Sequence, residues 1–158
     1  MFRTAQLLNF GDGLDIHGEK MPNYKATAKL VENVRTVVDN SRTHSVVCDL
    51  TTAQGGSDSG PTAVELAVMS LADCAVTIFA DVCKKSNIEI SRLEAVAEAE
   101  KPADSPKLTG VTIKVRTSAK ARKGLLDAAW RRTEANCPVL SIFKEQIPLK
   151  VEFESTSE

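Results

Sequence analysis

The chain has 158 residues, of which 42% are apolar and 26% charged, and its net charge at pH 7 is −1. That size predicts one domain of ordinary globular composition. The near-neutral balance gives no reason to expect a nucleic acid or an anionic membrane as partner.

Residues 1–22 carry Gly11, Gly13, Gly18 and Pro22 as breakers and read as an irregular N-terminal arm, with residues 23–158 as a single domain. The first nine residues have one charge and no apolar core, which makes a poor signal peptide. The expected location is therefore cytoplasmic, where cysteines are reduced by default. Tyr24–Asp39 and His44–Leu50 read as strands, rich in β-branched residues and separated by a turn at Asp39-Asn40-Ser41. A glycine-rich loop, Gly55–Pro61, follows. It has no Lys-Ser/Thr pair and no Gly-x-Gly-x-x-Gly, which argues against nucleotide binding. It reads instead as a flexible lid or a close backbone approach to the site.

The strongest pattern is a helix over residues 62–86. Pro61 fits its first turn, Thr62-x-x-Glu65 matches a capping box, and Lys84-Lys85 suits its C-terminal end. Its apolar residues point in almost every direction, as in a buried central helix wrapped by sheet, with part of the cover supplied by a second subunit. Glu65, Ser70, Asp73 and Thr77 interrupt residues 64–80, so no apolar run reaches the length of a membrane span. Ile88–Glu98 and Leu108–Arg116 read as strands joined by a turn at Lys101–Pro106. Ala119–Ala135 reads as an amphipathic helix, Pro138–Ile142 as a short one, and Pro148–Phe153 as a last strand. The order predicts an α+β fold.

Four cysteines in a chain of this size do not make a disulfide framework, and no Cys-x-x-Cys is present. The only histidines are His17 and His44, so no metal is expected. At 100° per residue Ser70, Cys74, Thr77 and Asp81 share the one polar stripe of the long helix. Cys74 is then a nucleophile or a plain buried hydrophobe. Cys83 is nine residues on, about 13 Å along the axis and on the opposite side, too far to bridge. Cys83 and Cys48 read as core. Cys137 lies in Asn136-Cys137-Pro138-Val139 at a helix start, where free N–H groups favour a thiolate; the plainer reading is a buried loop cysteine.

Residues 24–155 resemble the OsmC/Ohr family of osmotically induced and organic hydroperoxide resistance proteins. The resemblance rests on the Gly55–Leu66 loop and helix start, on Ser70-Leu71-Ala72-Asp73-Cys74, and on Cys137-Pro138-Val139. It implies an OsmC-like fold: an antiparallel sheet wrapped around a long buried central helix, in an intertwined homodimer. It also implies that Cys74 attacks an organic hydroperoxide, that Cys137 resolves it, and that an external dithiol, such as a lipoyl group, restores both, with no cofactor. In the hydroperoxide-reducing relatives an arginine from the N-terminal strands pairs with a glutamate before the first cysteine. Arg35 and Arg42 are the candidates for the arginine, with Arg35 preferred. The family glutamate lies ten residues before the cysteine, where this chain has Val64; Glu65 is nine before, about 180° away on a helix. Glu65 is thus either the catalytic partner or only the cap of Thr62. The family's Gly-Pro-x-Pro is here Gly60-Pro61-Thr62-Ala63. These departures keep an alternative open: a non-enzymatic, stress-related protein that binds a small molecule on the same fold.

Overall fold

In the computed structural model, which describes residues 23–156, the first long strand is in fact a hairpin. β1 (Thr27–Glu32) and β2 (Arg35–Asp39) pair antiparallel, with Glu32 opposite Arg35. The chain reverses at Asn33, whose φ is 48°; asparagine tolerates this left-handed conformation. No Gly or Pro marks the turn, which is why the segment Tyr24–Asp39 reads as unbroken. β3 (Ser45–Cys48) adds to the other edge of β2, giving the order β1-β2-β3. Asn40 shapes the intervening turn: its side-chain oxygen accepts the N–H groups of Arg42 and His44. These strands and the loop to Gly60 form one compact unit, and Pro61 onward forms a second.

The glycine loop is tied to the end of β3. A short 3-10 turn at Thr52–Gln54 ends on Gly55, whose φ of 88° suits glycine. A Cβ on Gly56 would overlap the Leu50 carbonyl oxygen, and one on Gly60 the Val47 carbonyl oxygen. The loop backbone thus comes close to β3 at Gly60 and to Leu50, just past β3, at Gly56.

In the second unit, α1 (Ala63–Lys85) carries the predicted capping box. Thr62 Oγ1 accepts the Glu65 N–H at 3.3 Å, and Glu65 Oε2 accepts the Thr62 N–H at 2.7 Å. Thr62→Ala removes the side-chain half of this box. It is expected to cost about 1 kcal/mol, read as a fall of a few degrees in the thermal midpoint. An unchanged midpoint would show the cap to be energetically idle.

α1 packs on β4 (Ile90–Glu100), α2 (Lys123–Asn136) and α3 (Pro138–Lys144). β4 and β5 (Gly110–Ala119) form an antiparallel ribbon. β5 runs to Ala119, which pairs with Ile90 and packs in the core, so α2 starts later than the amphipathic pattern suggests. One core cluster joins Phe79, Cys83, Ile88 and Ala129, with Trp130 tilted against Phe79, the ring centroids 6.0 Å apart. The other joins Leu71, Cys74, Cys137 and Leu140.

Within one chain α1 is buried on one face, through Leu71, Cys74, Ala75, Phe79 and Cys83, while Val64 and Met69 on other faces stay exposed. Pro148–Phe153 is not a strand: it pairs with no strand among the described residues, and Leu149, Val151 and Phe153 are all exposed. Its alternating pattern suits a strand, but a strand needs a ladder partner.

Candidate active site

The two cysteines that the sequence singles out meet inside the second unit. Cys74 sits midway along α1 and is 8% exposed; Cys137 is 2% exposed. Their sulfurs lie 2.8 Å apart, with the Cys137 thiol donating to Cys74. Both thiols are free, and the gap is within about 0.8 Å of a disulfide bond length.

Local structure explains this meeting. Cys137 is at once the C-cap of α2 and the N-cap of α3, in an extended conformation that breaks one helix and starts the next. Pro138 occupies the first turn of α3, where its missing N–H costs nothing. The sharp break turns Cys137 inward, toward Cys74. Cys74 is therefore not a member of an exposed polar stripe. Ser70, Thr77 and Asp81 are exposed, and the hydroxyls of Ser70 and Thr77 bond back to the helix backbone.

Electrostatics at Cys74 favour the neutral thiol. Burial pushes the Cys74 pKa up first; the Cys137 thiol and the Asp73 carboxylate add to it, and the Val139 N–H pulls it down by less. Cys83 is also raised, by burial alone. Cys83 lies in the other core cluster, and Cys48 lies in β3. Both are placed as core residues.

A cavity of about 420 Å³ opens beside the cysteine cluster. Leu71, Leu108, Val111, Ile113, Leu140 and Phe143 give it a largely apolar lining, with Thr109 and Lys144 as its polar members, and Leu71 and Leu140 also pack in the cluster that holds both sulfurs. The wall is thus continuous with the residues around Cys74. Among the described residues no group of His, Cys, Asp and Glu could hold a metal ion.

The charged candidates have other partners. Glu65 Oε2 takes both the N–H and the hydroxyl of Thr62, which holds its carboxyl below the usual range. Arg35 donates from Nη1 to Glu32 at 3.2 Å and from Nε to Asp49 at 3.4 Å. Arg42 stands in the turn between β2 and β3 and makes no ion pair among the described residues.

Asp49 is the residue that sequence reasoning misses. It is 3% exposed and accepts the backbone N–H groups of Leu50, Ser57 and Ser59 as well as Arg35. Burial alone would raise its pKa, but these donors together outweigh burial and hold it low. Its one signal is an acidic residue closing the Val46-Val47-Cys48 run shortly before a glycine loop.

A family profile described as OsmC-like protein matches residues 56–152, which include both cysteines. The chain belongs to the OsmC-like family. Solved structures agree on the fold. An OsmC-like protein from Mycoplasma pneumoniae is similar at a TM-score of 0.69 and 12% identity, over 78% of this chain and 88% of that one. An organic hydroperoxide resistance protein OsmC from Legionella pneumophila is similar at 0.59 and 12% identity, over 80% and 92%. An organic hydroperoxide resistance protein from Elizabethkingia anophelis is similar at 0.55 and 14% identity, over 78% and 89%. No curated protein matches the sequence. The OsmC-like architecture is α+β, with antiparallel sheets and one long helix, as expected from the sequence.

Proposed function

We propose that this OsmC-like protein is a thiol peroxidase for organic hydroperoxides, with Cys74 attacking and Cys137 resolving. The observation that carries this reading is the 2.8 Å approach of the two sulfurs inside an apolar core. The Cys74 thiolate attacks the distal oxygen of ROOH, the O–O bond breaks, and the leaving alkoxide takes a proton to give ROH and a Cys74 sulfenic acid. The Cys137 thiol then displaces water from that sulfenic acid and forms a disulfide. An external dithiol, of the lipoyl type, reduces the disulfide by exchange and is itself oxidised. The apolar cavity beside the cluster suits an alkyl or aryl hydroperoxide. Relatives whose names refer to organic hydroperoxide resistance support the same substrate class. The cytoplasm, rich in dithiol reductants, is the matching compartment.

Burial holds Cys74 as a thiol, so the attack needs a cation that favours the anion. Arg35 is assigned that part, with Arg42 as the alternative. Glu65 is assigned a supporting part through Oε1, which has no partner among the described residues. Glu65→Gln keeps the capping box and removes the charge. It is expected to slow the reaction at an unchanged melting temperature; full activity in Glu65→Gln confines Glu65 to the cap.

We also propose a homodimer. A second copy would cover the face of α1 that carries Met69, which is 54% exposed, and give the alternating segment 148–153 a strand partner. Sedimentation at micromolar concentration is expected to give twice the 17.1 kDa chain mass. A stable monomer overturns this assembly.

The raised Cys74 pKa favours a second reading, small-molecule binding without turnover. One experiment separates the two. Purified, fully reduced protein is mixed with one equivalent of cumene hydroperoxide and its free thiols are counted after denaturation. Loss of two thiols per chain is the peroxidase result, and loss of none is the binding result.

A further inference from the structure

The sulfurs of Cys74 and Cys137 are already 2.8 Å apart, so joining them takes less than about 1 Å of movement. Oxidation therefore leaves them where the thiols lie, at 8% and 2% exposure. Forming the disulfide and reducing it then make different demands. Formation needs nothing from outside once Cys74 carries its oxygen. Reduction needs an external thiolate to reach one sulfur, form a mixed disulfide with it and release the other as a thiol.

Four elements of the second unit pack around the pair: α1 through Leu71 and Ile78, β4 through Ala97, β5 through Ile113, and α3 through Val139, Leu140 and Phe143. α1 has 23 residues and packs on β4 and α2 as well, while β4 and β5 are held by their ladder. α3 is the weak member. It has seven residues, its N-cap Cys137 makes no side-chain cap bond, and Leu140 is its one buried side chain. Ser141 and Ile142 are exposed. Its tie to α2, Lys144 to Glu134 at 3.4 Å, joins two exposed side chains and holds little. On its flank the cavity that Leu140, Phe143 and Lys144 line takes the place of the close packing that immobilises most core elements. A helix this short has no stability of its own, so α3 uncoils once Leu140 leaves α1.

We infer that α3 is a gate on the reductant: it uncoils from α1 to expose the Cys74–Cys137 disulfide, and this local opening sets the rate of reduction. The inference rests on the peroxidase reading of the cysteine pair and adds the step by which that pair is recovered. The closed state resolves the sulfenic acid without delay, and the open state admits the dithiol.

The test alters an exposed position, so that the surroundings of the sulfurs stay as they are. Ser141→Gly lowers the helical tendency of α3 and Ser141→Ala raises it. The disulfide is made in the full chain with diamide, which takes two electrons and two protons from the thiol pair and becomes the hydrazine. Reduction by dithiothreitol is quenched with acid at timed intervals, and the thiols on the Cys74 and Cys137 peptides are alkylated and counted by mass spectrometry. Oxidised glutathione serves as the exposed disulfide. The wild-type disulfide is expected to be reduced at least tenfold more slowly than oxidised glutathione. Ser141→Gly is expected to be reduced on the order of fivefold faster than Ser141→Ala, the ratio that one such exchange gives in a helix. Hydrogen exchange of the Glu145 N–H, which bonds to the Ser141 carbonyl, is expected to change by a similar factor. Equal reduction rates in the two variants overturn the inference, and so does wild-type reduction as fast as that of oxidised glutathione. If the two variants exchange hydrogen alike, Ile142→Gly is added to the first and Ile142→Ala to the second, and equal reduction rates in that pair overturn the inference. A chain in which diamide joins no Cys74 to Cys137 overturns it too. Diamide acts without peroxide, so a protein that consumes no hydroperoxide overturns the peroxidase reading alone.

Discussion

Cys74→Ser is expected to reduce the consumption of organic hydroperoxide to the rate seen without protein. A hydroxyl cannot take the place of the sulfur, because serine at neutral pH is a far weaker nucleophile and has no stable oxidised state corresponding to a sulfenic acid. The fold should survive. The side chain is buried between Leu71, Leu140 and Cys137, and oxygen is smaller than sulfur, so the change leaves a slight loss of packing. The new hydroxyl keeps the Cys137 thiol beside it as a partner, so no buried polar group is stranded. A peroxide colour assay measures the loss, and a melting curve separates it from unfolding. Residual consumption at more than a tenth of the wild-type rate would move the chemistry to another cysteine of the chain.

Cys137→Ser is expected to stop the reaction halfway. Without reductant, the wild-type chain should lose two thiols to one equivalent of hydroperoxide and leave no trappable sulfenic acid, because the second sulfur is already 2.8 Å away. The variant should lose one thiol and give a dimedone adduct on Cys74. Excess hydroperoxide should then carry the unprotected sulfenic acid to the sulfinic state and inactivate the variant irreversibly, a fate that disulfide formation spares the wild type. Mass spectrometry of the Cys74 peptide reads all three states. An unchanged disulfide yield in Cys137→Ser would remove Cys137 from the reaction and point to another thiol of the chain, or of a second copy, as the resolving group.

Much of the architecture can be read from local signals. α1 is legible because a cap, a proline and a lysine pair mark its ends independently of packing, and its observed span, Ala63–Lys85, follows those marks closely. The β1–β2 turn is not legible, because Asn33 adopts its left-handed φ without a neighbouring glycine. Segment 148–153 is misread for the opposite reason: its alternation is clear, but strand formation depends on a partner that local sequence does not reveal. At the site, Cys74 and Cys137 are legible through their settings, and their separation of 63 residues is closed by the break at Pro138. Asp49 is hidden because its importance lies in three backbone N–H groups, and backbone donors look the same at every residue.

The glycine loop also sets where this protein tolerates variation. Gly60 is fixed by steric exclusion against β3 and Gly56 against Leu50 just after it, whatever chemistry the loop serves, and Gly55 by its φ of 88°. Asp58, with a φ of 55°, admits asparagine or glycine most easily. Ser57 and Ser59 give Asp49 only their backbone N–H groups, so their side chains are spare. A mutational library across residues 55–60 should therefore return many residue types at two positions, few at a third and one at the remaining three. Such a pattern would look like selection for catalysis, although its origin is the shape of a backbone crossing.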